Sequence, residues 1–181
     1  MGKIVSVVGM TGSGKSEVAA VFEERGFVRI RFGDITDAEL RKRGLETSEA
    51  NERHVREQLR QEHGMAAYAV LNLPRIDAVR EHSGVVIDGL YSWEEYTFLK
   101  DYYRDDLFVV AVWSAPETRY TRLLGRAHRG LTRDEAVSRD RAEIENVNKG
   151  GPIAMADFTV LNESTLEDLR GAVERIVPPL R

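Results

Sequence analysis

Gly9-Met10-Thr11-Gly12-Ser13-Gly14-Lys15-Ser16 sets glycines, a lysine and a hydroxyl at the spacing G-x-x-x-x-G-K-[ST]. The chemistry suited to that order is capture of an anion with phosphate geometry. Gly9, Gly12 and Gly14 let the backbone turn tightly and come close to a ligand, because no Cβ stands in the way. Backbone N–H groups turned inward form a concave nest for the anion. A helix that follows adds its free N–H groups and positive dipole end. In loops of this kind the lysine bridges β- and γ-phosphate oxygens and the hydroxyl ligates Mg²⁺, roles that fall here to Lys15 and Ser16. Thr11 and Ser13 complete the loop.

Two carboxylates stand where they could serve that anion. Val85-Val86-Ile87-Asp88-Gly89 is an apolar run ending in an acid, and an acid at the end of a strand neighbouring such a loop faces the metal. Asp88 is therefore the second metal-side candidate beside Ser16, although it could also simply cap the next turn. Asp34 follows Phe32-Gly33. It is a candidate base for an attacking hydroxyl, or an N-cap for the helix that begins near Ile35. The two roles are compatible.

Arginines gather in two segments. One runs from Asp34 to about Glu81 and carries Arg41, Arg43, Arg53, Arg56 and Arg60, with Arg56 and Arg60 on one helix face. The other runs from Arg119 to Arg141 and carries Arg119, Arg122, Arg126, Arg129, Arg133, Arg139 and Arg141. Any one of them reads most simply as a solvated side chain. Clustered in an acidic protein they suit phosphate, which the planar guanidinium binds through a fork. The histidines His54, His63, His82 and His128 show no zinc-site spacing.

The elements that must position these residues are legible as periodicity. Ile4–Val8, Phe27–Phe32, Val85–Asp88, Leu107–Val112 and Phe158–Leu161 read as strands, with helical patterns between them. After the glycine loop, Val18, Ala19, Val21 and Phe22 fall on one helix face, and Arg25-Gly26 supplies a stop. Capping boxes are expected at Thr36…Glu39, Ser92…Glu95, Ser114…Glu117, Thr132…Glu135 and Ser164…Glu167. Strands alternating with helices imply an α/β fold, a parallel sheet with helices on both faces.

Composition narrows the classes. The chain has 181 residues, 42% hydrophobic, which suits one domain spanning 1–181. A net charge of −4 gives no basic field for nucleic acid. With no cysteines, disulfides and thiolate chemistry are excluded, consistent with a cytoplasmic protein. Met1-Gly2-Lys3 leads straight into a strand, so no signal peptide is expected, and no apolar run has the roughly 18 residues of a membrane span.

The loop Gly9–Ser16, Gly33-Asp34, Ile87-Asp88-Gly89 and the arginine-rich 119–141 together resemble adenylate-kinase-like nucleoside monophosphate kinases. Ala156-Asp157-Phe158-Thr159-Val160-Leu161-Asn162 is similar to the matching stretch of dephospho-CoA kinases. Along nearly its whole length, including Arg43-Gly44-Leu45-Glu46 and Arg139-Asp140-Arg141, the chain resembles a mainly archaeal family of small P-loop proteins described as AAA-type ATPases. The resemblance implies a three-layer α/β/α P-loop fold with a five-stranded parallel sheet in the order 2-3-1-4-5. It implies ATP and Mg²⁺, an acceptor-binding arm over 34–81 and a lid over 119–141. On it, Gly9 to Ser16, Arg122, Arg126 and Asn162 bind the nucleotide. Lys15, Asp34, Arg126 and Arg139 are catalytic, with Arg141 beside Arg139 at the transferring group. Asp34, Arg41, Arg60, Asp88 and Arg139 hold the acceptor. One departure bears on the acceptor: Leu90-Tyr91-Ser92 stands where adenylate kinases place an aromatic or apolar residue followed by Pro-Arg.

Two functions compete. The first is a phosphotransferase that moves the γ-phosphoryl group of ATP to a small nucleotide-like or coenzyme-like acceptor. The second is a nucleotide-driven switch or ATPase acting on a protein or RNA partner. A GTPase is disfavoured: Asn148-Lys149-Gly150-Gly151 starts the guanine motif N-K-x-D but lacks its acid. The acceptor, and whether the chain is a monomer or a dimer, stay open.

Overall fold

The computed structural model describes residues 1–127 and 130–177. In chain order the first half runs β1 (Ile4–Val8), α1 (Lys15–Glu24), β2 (Val28–Arg31), α2 (Asp34–Arg43), α3 (Glu49–His63), α4 (Ala67–Arg80) and β3 (Val85–Asp88). The second half runs α5 (Trp93–Tyr103), a 3₁₀ turn (Arg104–Asp106), β4 (Leu107–Trp113), α6 (Pro116–Leu124), α7 (Arg133–Glu145), α8 (Gly150–Ala154), β5 (Phe158–Leu161) and α9 (Leu166–Glu174). The strands form one parallel sheet in the order β2-β3-β1-β4-β5. That is the fold class implied at the sequence level.

β1 is buried along its whole length, with β3 and β4 on either side. A strand covered on both faces reads as a continuous apolar run rather than an alternating one. Successive side chains divide between two cores. Ile4, Val8, Ile87, Leu107 and Val109 pack on one face with Leu40, Ile76 and Leu99 from α2, α4 and α5. Val5, Val7, Val86, Val110 and Val112 pack on the other with Val18 and Phe22 of α1 and Leu169 and Val173 of α9. A satellite cluster of Tyr120, Leu123, Leu131 and Ala136 joins α6 to α7.

The helix stop at Arg25-Gly26 stands as expected, with Gly26 at φ 91°. Thr132 and Glu135 make the expected capping box of α7. At α5, Ser92 accepts from the Glu95 N–H, but the Glu95 carboxylate turns to the Tyr91 N–H instead. Three expected boxes are corrected. Thr36 lies inside α2, buried, its hydroxyl 2.6 Å from Tyr68 Oη. The hydroxyl of Ser114 is drawn to the Asn162 carbonyl at 2.7 Å, and α6 begins with Pro116, whose fixed φ suits a first turn. The last box is one residue along, Thr165 with Asp168. The segment 34–81 is built from α2, α3 and α4. His128 and Arg129 lie outside the described residues. No helix among the described residues is long and apolar enough to cross a membrane.

Candidate active site

The glycine loop joins the end of β1 to α1 at the carboxyl edge of the sheet, where ligands of open α/β sheets collect. Gly14 caps α1 in the left-handed region, φ 100°. A Cβ there would meet Asn162 Nδ2 at 2.3 Å, so the position needs glycine on both counts. The loop is held from several sides. Asn162 Nδ2 donates to the Ser13 carbonyl at 2.8 Å. Arg122 donates to the Ser114 hydroxyl at 3.1 Å and to the Asn162 carbonyl at 3.0 Å. Arg119 donates to the Thr11 carbonyl at 3.0 Å while its fork grips Asp140 at 2.7 and 2.6 Å. Arg119 is thus a buried strut of the loop rather than a solvated or phosphate-facing arginine.

Lys15 Nζ donates to the carbonyls of Gly9 and Met10, at 2.9 and 3.1 Å. Burial, and after it the charge of Lys149, push its ammonium down to about 7. Ser16 Oγ donates to Asp88 Oδ2 at 3.3 Å, and Asp88 also pairs with Arg29 from β2. A hydroxyl and a carboxylate are hard oxygen donors. They fit Mg²⁺, which keeps several waters and takes phosphate oxygens for the rest. No group of three or more His, Asp or Glu among the described residues could hold a metal by itself.

These residues open on a cavity of about 530 Å³. Thr11, Gly12, Gly14, Lys15 and Ser16 line it, with Arg122, Arg126 and Asn162. Arg31, Gly33, Thr36, Asp37, Arg56 and Tyr91, from β2, α2, α3 and the segment after β3, line it as well. Arg126 is pushed below its ordinary value by burial and then by the charge of Arg139. Tyr91 also lines a recess of about 100 Å³, where Arg53, Arg56, Arg60, Arg139 and Lys149 stand among Glu49, Glu57 and Glu143. The Arg60 guanidinium lies 5.5 Å over the Tyr68 ring, and its buried Nε has no hydrogen-bond partner among the described residues.

Not every candidate reaches the cavity. Asp34 is the first residue of α2, with Gly33 at the cap, and its carboxylate lies 3.4 Å from Arg31 and 3.5 Å from Arg75. It is absent from the lining, whereas Asp37, one turn on, is part of it and pairs with Arg31. Arg41 is exposed and donates to the Asp37 carbonyl at 3.3 Å, outside the cavity. Arg141 is also exposed, 3.8 Å from Glu145. Both side chains are exposed on their helices, and neither lines the cavity.

Arg139 lines the cavity but is engaged, to Glu49 at 2.6 Å and Glu143 at 3.4 Å. Glu143 and Lys149 are site residues that the sequence did not single out. Glu143 takes the Thr11 hydroxyl at 2.7 Å, the Thr11 N–H at 3.3 Å and Lys149 Nζ at 2.9 Å. Burial alone would raise its carboxyl, but Lys149, then Arg139 and Lys15, outweigh that and hold it well below the usual carboxylate range.

Fold and loop together define a P-loop domain of kinase-like architecture. TT1252 from Thermus thermophilus superposes with a TM-score of 0.68 at 20% identity, covering 99% of this chain and 98% of that one. A shikimate kinase from Bacteroides thetaiotaomicron gives 0.63 at 16% identity, covering 98% of each chain. A gluconokinase from Sinorhizobium meliloti gives 0.60 at 17%, covering 99% of this chain and 95% of that one. The family described as an AAA domain matches residues 5–146. UPF0200 protein TK1334 of Thermococcus kodakarensis is 38% identical over 178 residues, 96% of either chain. UPF0200 protein PH1008 of Pyrococcus horikoshii is 33% identical over 178 residues, 96% of this chain and 95% of its own. The chain belongs to the UPF0200 family.

Proposed function

We propose that the protein is an ATP-dependent phosphotransferase that moves the γ-phosphoryl group to a small acceptor bearing a hydroxyl or a phosphate. The observation that carries this reading is the make-up of the cavity lining. The glycine loop, Arg122, Arg126 and Asn162 line it together with Thr36, Asp37, Arg56 and Tyr91, which come from other elements of the fold. A switch that only binds and hydrolyses nucleotide has no use for that second group of residues. Two fold neighbours are named as kinases of small hydroxy acids, which supports a small acceptor without identifying it.

In this reading the loop and Lys15 bind the β- and γ-phosphates, and Arg122 and Arg126 reach the triphosphate. Ser16 and Asp88 would hold Mg²⁺, which would supply neutralising charge. The acceptor oxygen bonds to the γ-phosphorus as the bond to the β–γ bridging oxygen breaks, and ADP leaves. A hydroxyl acceptor gives its proton to Asp37, a carboxylate that lines the same cavity. Residues 34–81 form the acceptor-binding arm and 119–141 the lid that excludes water. Transfer of label from γ-labelled ATP to one member of an acceptor panel tests the assignment. ATP loss indifferent to every acceptor would return the protein to the switch class.

A further inference from the structure

Glu143 and Lys149 have no role in the triphosphate and acceptor assignments above, yet both line the cavity. The Lys149 side chain is 1% exposed and lines both the cavity and the smaller recess. Burying an ammonium is costly unless it is paired, and the backbone is bent to do it. Asn148, the residue before it, sits at φ 51°, a left-handed conformation that asparagine tolerates better than most. A Cβ on Gly151 would meet the Trp93 ring at 2.5 Å. The Lys149 N–H donates to the Glu143 carbonyl at 3.1 Å, and the Trp93 N–H to the Val147 carbonyl at 3.3 Å. Unfavourable backbone and a buried charge held together by several contacts are features that cluster at functional sites.

The partner of Lys149 points the same way. Glu143 is an anion resting on the Thr11 N–H and hydroxyl, within the loop built for anions. A carboxylate kept only to neutralise a buried lysine would not need that position, and buried ion pairs are weak stabilisers.

We propose that Lys149 is a second phosphate-gripping lysine, taking the terminal phosphate of a bound nucleoside triphosphate, and that Glu143 holds that place on Lys149 and Thr11 until the nucleotide arrives. This rests on the phosphotransferase reading of the same cavity. During transfer Lys149 stays with the non-bridging oxygens of the moving group while the bridging bond breaks. It stands beside Arg139, which is drawn away from Glu143 and Glu49 by the same phosphate.

Titration calorimetry of the full chain with Mg²⁺, ADP and a non-hydrolysable β,γ-imido analogue of ATP tests it. Lys149→Met weakens the triphosphate analogue by about tenfold or more and leaves ADP within about twofold, since only the terminal phosphate loses a charge-assisted bond. Glu143→Gln tightens the triphosphate analogue, because the competing anion is gone. A merely structural pair predicts the opposite: equal losses for both nucleotides in Lys149→Met and weaker triphosphate binding in Glu143→Gln. Either result overturns the proposal, and Glu143→Gln decides by its sign if Lys149→Met does not fold. Wild-type chain that binds neither nucleotide overturns the phosphotransferase reading as well. Wild-type chain that binds both, with no change in preference on losing Lys149, overturns this inference alone.

Discussion

Asn162 Nδ2 donates to the Ser13 carbonyl at 2.8 Å, a bond between residues 149 positions apart. It ties the end of the last strand to the glycine loop after the first. Asn162 is 7% exposed, and its own carbonyl receives Ser114 and Arg122. Asn162→Ala strips the Ser13 carbonyl of its better donor, leaving Ser114 at 3.3 Å. The expected cost is about 1–3 kcal/mol of stability, with weaker nucleotide binding. Denaturant unfolding and nucleotide titration of the same variant check both parts.

The ammonium of Lys15 gives nucleotide binding a pH dependence. In the empty site it titrates at about 7, lowered first by burial and then by Lys149. Bound phosphates favour the charged form and raise it. Above pH 7 binding must therefore take up a proton, and affinity falls as pH rises. Between pH 7 and 9 the dissociation constant increases by up to about tenfold per unit. Calorimetry in two buffers of different ionisation enthalpy reads the proton directly, and a flat profile would remove Lys15 as the titrating group.

Asp37 and Asp34 are separated by one helical turn and by their surroundings. Asp37 lines the cavity, and Asp34 lies between Arg31 and Arg75 outside it. With a hydroxyl acceptor, Asp37→Asn lowers turnover by about 10²-fold or more. Asp34→Asn costs at most about 1 kcal/mol of stability and leaves turnover near that of the wild type. Steady-state kinetics of the two variants side by side settles which carboxylate serves the acceptor.

Glu95 is fully buried, and burial raises its carboxyl to about 7. One oxygen accepts the Tyr91 N–H at 2.8 Å and the other has no hydrogen-bond partner among the described residues. The folded state therefore binds more protons than the unfolded one from about pH 4.5 to about 7, and this group's contribution to stability falls across that window as pH rises. Glu95→Gln keeps the shape and removes the ionisation. Its melting temperature exceeds that of the wild type by a margin that grows from pH 5 to pH 8, and a constant margin would contradict the assignment.

The parts of the protein written in local pattern were legible in the sequence. β1 and its loop are contiguous, and the burial of β1 on both faces produces the apolar run Ile4–Val8. Asp88 ends its strand in sequence as it does in space. What escaped was set by tertiary contact. Thr36 resembles a cap, but Tyr68 draws it into the core. Asp34 resembles a base, but Arg75, far along the chain, holds it to the outer face. Arg119 looks like one more arginine of the segment, and only the fold brings Asp140 and the Thr11 carbonyl to it. Lys149 reads as a fragment of a guanine motif, because its partner Glu143 and the loop that Glu143 touches meet only when the turn at Asn148 closes. The i,i+4 pair Arg139 and Glu143 was the sole local hint.

Each role proposed for the cavity depends on phosphoryl transfer from a nucleotide to a small acceptor within it. The most direct test incubates the chain with γ-labelled ATP, Mg²⁺ and separate acceptors: nucleoside monophosphates, nucleosides, dephospho-CoA, gluconate and shikimate. Lys15→Ala serves as control, and a thermal melt shows that the control is folded. Label is expected on one acceptor class with stoichiometric ADP, and none is transferred by the folded Lys15→Ala chain. Slow ATP loss that no acceptor stimulates, or transfer undiminished in Lys15→Ala, would overturn the phosphotransferase reading.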